Sequence, residues 1–152
     1  MTIYVDADAC PVKGIIEKTA KEFSLPVVMI IDVNHILQSD YSEIITVSQG
    51  RDSVDLVLVN RLKPGDIAVT QDYGVAALAL GKGCRAIGNS GLVYDSGNID
   101  KLMFERFLGG KVRRAGKKAG RAFNPKKRTK LDDERFEKNF RRLICDALQS
   151  AE

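Results

Sequence analysis

Short apolar runs rich in valine and isoleucine recur through the first two thirds of the chain, separated by stretches whose apolar residues fall at helical spacing. This alternation predicts βα units around a mostly parallel sheet, an α/β fold with helices flanking the sheet. Strands are expected at Thr2 to Asp6, Pro26 to Ile31, Glu43 to Val47, Ile67 to Thr70 and Arg85 to Ile87. Pro11 suits the first position of a helix reaching Lys21, because its missing N–H is unpaired there anyway. Asp52 is placed to cap a helix carrying Val54, Val57, Leu58 and Leu62, stopped by Lys63-Pro64-Gly65-Asp66. A third helix is expected over Gly74 to Leu80, ending at Gly81 or Gly83.

After Tyr94 the pattern changes. Asn98 to Leu108 reads as a helix capped by Asn98, with Ile99, Leu102, Met103, Phe104 and Phe107 as its apolar side, broken by Gly109 and Gly110. The stretch 109–130 has almost no apolar periodicity and is expected as a basic loop or linker. Leu131 to Leu148 reads as a C-terminal helix docking on the 1–108 domain through Phe136, Phe140, Leu143, Ile144 and Ala147.

Charge adds to this outline. Residues 1–108 hold 10 Lys+Arg against 14 Asp+Glu, residues 109–130 hold 10 against none, and residues 131–152 hold 4 against 6, so the overall +4 conceals a basic band on an acidic body. Such a band attracts phosphate backbone without reading sequence, and its affinity falls with salt. Arg113, Arg114, Lys117, Lys118, Arg121, Lys126, Lys127 and Arg128 are its candidate nucleic-acid contacts, with Lys13 near the first helix start as a further one. Phe123 is the band's only aromatic residue, so electrostatic tracking is expected over base stacking. No apolar run approaches the roughly 20 residues of a membrane span, and the start lacks a signal-peptide pattern. A soluble, cytoplasmic protein without membrane partners is expected. Cys10, Cys84 and Cys145 lie far apart with one histidine, His35, in the whole chain, which argues against a disulfide framework or a thiolate zinc site.

The candidate chemistry lies where strands end on carboxylates. Tyr4-Val5-Asp6-Ala7-Asp8 places two acids at the carboxyl edge of the first strand, the edge where ligands bind in open α/β sheets. Thr70-Gln71-Asp72 ends the fourth strand similarly, and Asp52 and Asp55 fall in the first turn of the helix after the third. If these ends are neighbours, Asp6, Asp8, Asp52 or Asp55, and Asp72 converge as catalytic candidates. Clustered carboxylates need a cation or protons, and oxygen-rich sites select Mg²⁺ or Mn²⁺. Each residue also has a plainer role open to it: Asp8, Asp52 and Asp72 as helix caps, Asp66 as a turn residue, Cys10 as packing, His35 as a loop residue with no recognisable partner. Ser42 and Ser53 are weak phosphate contacts.

Three motifs, Tyr4 to Lys13, Gln49 to Val59 and Gly65 to Gly83, with the Asn-Ile-Asp, Arg-Arg-x-Gly and Phe-rich elements near the end, make nearly the whole chain resemble the bacterial YaiI/YqxD family of uncharacterised proteins, which looks like a branch of the PIN-like nuclease fold. That resemblance implies an α/β domain in which Asp6, Asp55 and Asp72 hold Mg²⁺ or Mn²⁺. Asp8-Ala9-Cys10-Pro11 belongs to this family rather than to PIN domains generally, and Asn124-Pro125 stands where Gly-Pro is expected in relatives. The leading expectation is a metal-dependent nuclease acting on RNA before DNA. Two rivals remain open: a haloacid-dehalogenase-like phosphatase using the Asp6-x-Asp8 spacing, and a nucleic-acid-binding module without catalysis.

Overall fold

The structure, a computed structural model, describes residues 1–48, 53–115 and 127–151, with 111–115 described by backbone alone. In chain order the elements are β1 (Ile3–Asp6), α1 (Lys13–Glu22), β2 (Val27–Asp32), β3 (Glu43–Val47), α2 (Val54–Arg61), β4 (Ile67–Val69), α3 (Tyr73–Gly81), β5 (Arg85–Ile87), β6 (Val93–Tyr94), α4 (Ser96–Ala115) and α5 (Lys130–Ser150). They build one six-stranded sheet in the order β3-β2-β1-β4-β5-β6. The first five strands run parallel, as expected, and β6 pairs antiparallel with β5 at the edge.

Two apolar layers cover the sheet. Ile3 and Val5 of β1 point into a cluster with Ile16 and Ala20 of α1 and with Phe136, Phe140, Leu143, Ile144 and Ala147 of α5. Tyr4 points the other way and packs on a cluster containing Leu58 of α2, Val75, Ala76 and Ala79 of α3, and Ile99 of α4. The alternation along β1 is the period of two that a strand imposes. Phe136 and Phe140 stack at 5.2 Å, one turn apart, so α5 docks as its sequence spacing predicts. No helix among the described residues is long and apolar enough to cross a membrane.

Several boundaries differ from expectation. Pro11 and Val12 form a turn, and α1 starts at Lys13. Ser53 caps α2, its hydroxyl accepting from the Leu56 N–H at 3.1 Å, whereas Asp52 lies outside the described residues. At the head of α4 the reciprocal bonds run from Asn98 N–H to Asp95 Oδ1 at 2.7 Å and from Asp95 N–H to Asn98 Oδ1 at 3.0 Å, so Asp95 supplies the cap assigned to Asn98.

That helix also continues through Gly109 and Gly110 to Ala115. A glycine ends a helix by turning left-handed, as Gly83 does after α3 with φ +82°; Gly109 and Gly110 keep a negative φ. The first part of the expected basic loop is therefore helical. The apolar side of α4 is also narrower than its sequence suggests: Ile99 is buried, while Met103, Phe104 and Phe107 are exposed.

Candidate functional site

The chain leaves β1 toward β2 on one side, and β4 lies on the other, so the sheet order reverses between β1 and β4. In open α/β sheets the crevice beyond the carboxyl ends at such a reversal is the ligand-binding position. Asp6 is the last residue of β1, and Thr70 follows β4 directly beside it. The Thr70 hydroxyl, almost fully buried, reaches Asp6 Oδ2 at 3.5 Å and accepts from the Asp72 N–H at 3.0 Å. One threonine thus ties the two strand ends together.

Asp72 caps α3, its Oδ1 accepting from the N–H groups of Gly74 at 2.8 Å and Val75 at 3.2 Å. Its plainer role as a cap is real, and it fixes the carboxylate at the site without excluding another function. Asp55 lies in the first turn of α2, within reach of the charge of Asp72. Arg106 of α4 approaches Asp72 Oδ1 at 3.9 Å.

Crowding shows in the acidities. Burial first, then the negative charges of Asp55, Asp8 and Asp72, push Asp6 up from 3.8 to about 6, against the Thr70 hydrogen bond. Asp55 is raised as well, by burial and then by Asp72, with Arg106 opposing. Asp55, Asp8 and Asp72 thus all act on Asp6 by charge, and Asp72 acts on Asp55.

Asp8 takes a different direction. It makes no cap for α1; its Oδ1 accepts from the Asp32 N–H at 3.3 Å and lies 3.1 Å from His35 Nδ1. The same imidazole nitrogen lies 3.0 Å from Asp32 Oδ1. Among the described residues, Asp8, Asp32 and His35 are the one group of three potential ligands whose donor atoms all lie within 4.8 Å of one another. His35 thus has partners that the sequence did not reveal, because they depend on the pairing of β1 with β2.

The remaining candidates sort clearly. Cys10 is buried, its thiol pushed up by burial and 3.7 Å from Asn89 Oδ1, which suits packing. Asp66 organises its turn by accepting from the N–H groups of Thr2 and Lys63, each at 2.9 Å. Ser42 is buried, and its hydroxyl makes no hydrogen bond among the described residues. Lys13 opens α1, close enough for its charge to act on Cys10 and His35. Arg128 is held as a strut, with Nε donating to Asp133 Oδ1 at 2.7 Å and Nη2 to the Asn89 carbonyl at 2.9 Å. Lys127 is exposed. Arg113 and Arg114 lie on α4 where the backbone alone is described, and Lys117, Lys118, Arg121, Phe123 and Lys126 lie outside the described residues.

Sequence reasoning missed Arg106 and Asp32. Asp32 ends a buried strand just as Asp6 does, so the same signal was present. Arg106 has none, since a lone arginine on a helix looks like any solvated one. A groove of about 600 Å³ between the β5–β6 turn and α5, lined among others by Ser90, Arg135, Asn139 and Arg142, includes none of the acidic candidates.

Residues 4–146 match the family model described as uncharacterised BCR, YaiI/YqxD family. The chain is 57% identical over 138 residues to a UPF0178 protein of Ruminiclostridium cellulolyticum, covering 91% of this chain and 88% of that one. It is 54% identical over 146 residues to a UPF0178 protein of Clostridium kluyveri, covering 96% and 94%. Among solved structures it is similar to Rae1 (YacP) from Bacillus subtilis with a TM-score of 0.41 and 14% identity over 99% of each chain, a likeness too loose to carry an inference.

Proposed function

Since the chain belongs to the YaiI/YqxD family, whose members are uncharacterised, we propose that it is a metal-dependent nuclease hydrolysing phosphodiester bonds, with RNA as substrate before DNA. The observation that carries this reading is the crowding of Asp6 at the sheet reversal by burial and by the charges of Asp55, Asp8 and Asp72, which pushes its pKa up to about 6. Carboxylates packed in this way either share protons or share a cation. The donors are oxygens alone, which fits Mg²⁺ or Mn²⁺. The carboxylate oxygens of Asp6, Asp55 and Asp72 do not all lie within 4.8 Å of one another, so they would hold the ion partly through its bound waters, as Mg²⁺ sites commonly do, and the ion when bound supplies charge neutralisation and a water of lowered pKa.

The surrounding residues have definable tasks. Thr70 holds Asp6 and Asp72 in register through one hydroxyl. The two N–H groups of α3 keep one face of Asp72 occupied and so fix its orientation. Arg106 sets a guanidinium beside the acids, where a phosphate oxygen is a better partner than solvent. The Lys- and Arg-rich stretch after α4 supplies sequence-independent attraction for the flanking backbone. The phosphatase alternative needs Asp8 facing the same reacting atom as Asp6, and the bonds of Asp8 to Asp32 and His35 do not favour it.

The test is cleavage of labelled single-stranded RNA with Mn²⁺, with Mg²⁺ and with EDTA, using wild type, Asp6→Asn and Asp72→Asn. Metal-dependent cleavage by wild type that both variants lose supports the reading. Salt-sensitive RNA binding without any cleavage overturns it in favour of a binding module.

A further inference from the structure

We propose that Asp8, Asp32 and His35 form a second metal site, distinct from the Asp6, Asp55 and Asp72 edge, which takes a borderline divalent ion of the Zn²⁺ class.

The site follows from strand register. Asp6 of β1 pairs with Ile30 of β2, so two residues further along Asp8 arrives opposite Asp32, and the Asp32 N–H closes on Asp8 Oδ1 at 3.3 Å. The chain then turns back: the His35 N–H donates to the Asp32 carbonyl at 3.1 Å and the Asn34 N–H to Asp32 Oδ1 at 2.8 Å. This turn delivers the imidazole, with Nδ1 3.0 Å from one carboxylate and 3.1 Å from the other. The three donors come from the β1–α1 turn, the end of β2 and the β2–β3 connection. Donors bound at about 2.0–2.2 Å to one ion stand no more than about 4.4 Å apart, and the imidazole nitrogen lies within that distance of both carboxylate oxygens.

Donor chemistry separates this site from its neighbour. Magnesium prefers an all-oxygen shell, whereas an imidazole nitrogen with two carboxylates suits zinc and similar first-row ions. Three protein ligands leave coordination positions open to water, as in zinc sites that act on substrates. Backbone N–H bonds already orient both carboxylates, the role that outer-shell partners fill around metal ligands. The side chains of Asp8, Asp32 and His35 keep 24, 35 and 48% of their surface, so an ion reaches them from solvent. Two adjacent carboxylates also call for a cation between them.

His35 is the single histidine of the chain, so its ring signals report on this site alone. Zinc is titrated into the full-length, metal-free protein while the His35 ring nitrogens are followed by NMR, with calorimetry alongside. The expected result is one equivalent bound, a shift of the ring signals, and binding that survives a roughly thousandfold excess of Mg²⁺. Affinity should fall about 100-fold in His35→Gln and at least about 10-fold in Asp32→Asn, and stay at the wild-type value in Cys145→Ser, whose thiol is exposed. Ring signals unmoved at stoichiometric zinc, undiminished binding in His35→Gln, or loss of binding in Cys145→Ser would each overturn the proposal. None of these readouts involves RNA cleavage, so this proposal and the nuclease reading stand or fall separately.

Discussion

Replacing Asp6 by asparagine removes the charge that this fold accommodates worst, and the structure sets the size of the effect. The rise of its pKa from 3.8 to about 6 corresponds, at about 1.4 kcal/mol per pH unit, to about 3 kcal/mol. Below pH 3.8 the side chain is neutral in both folded and unfolded chains and nothing is lost. As pH rises, the unfolded chain ionises first and the folded one only near pH 6, so wild-type stability falls across that window and stays lowered above it. The asparagine variant, which does not titrate, has no such window. In urea unfolding with EDTA present, Asp6→Asn should be more stable than wild type by about 3 kcal/mol at about pH 7.5, and by only about 1 kcal/mol at about pH 4.5. For a chain of this size the larger figure amounts to about 6–12 °C in Tm. Saturating Mg²⁺ or Mn²⁺ should narrow the gap at about pH 7.5 by stabilising wild type alone, by about 2.7 kcal/mol at 100 times Kd. A stability difference that does not change with pH, or a variant less stable than wild type at about pH 7.5, would refute the reasoning.

Asp72 separates capping from charge. Asp72→Asn should keep the melting temperature within about 2 °C and abolish metal-dependent RNA cleavage, while Asp72→Ala should also lose about 1 kcal/mol through the uncapped α3, read by urea unfolding. Gly91 combines φ +91° with backbone of Arg135 and Phe136 only 3.1 Å from where a Cβ would stand, whereas Gly65 at φ +93° has open space. Gly91→Ala should therefore destabilise more than Gly65→Ala by at least about 1 kcal/mol; equal losses would mean that α5 yields freely. Phe140→Ala should lose about 3–5 kcal/mol in the same assay, because its ring is fully buried and stacked on Phe136.

The strands and most helices could be read from residue types because their signals are local. Val27 to Ile31 is buried along its length and so is apolar along its length, and Phe136, Phe140 and Ala147 repeat at helical spacing. β6 was missed because two residues carry no periodicity. Gly109 and Gly110 misled because each glycine costs a helix only about 1 kcal/mol relative to alanine, which does not oblige a helix to stop. Asp6, Asp8, Asp55 and Asp72 were legible as candidates because each sits at a predicted strand end or helix start. The partnership of Asp8 with Asp32 and His35 was not legible, since it arises from the register between β1 and β2, which residue types alone do not set.

The docking of α5 bears on how the chain reaches its native state. Ile3, Val5 and Ile16 from the first elements share an apolar layer with Phe136, Phe140 and Ile144 from the last helix. That layer closes only when segments from opposite ends of the sequence meet, after most of the loop-closure entropy has been spent. During stepwise synthesis the sheet can therefore form with this face covered by α1 alone, and until α5 arrives its remaining apolar surface is open to aggregation.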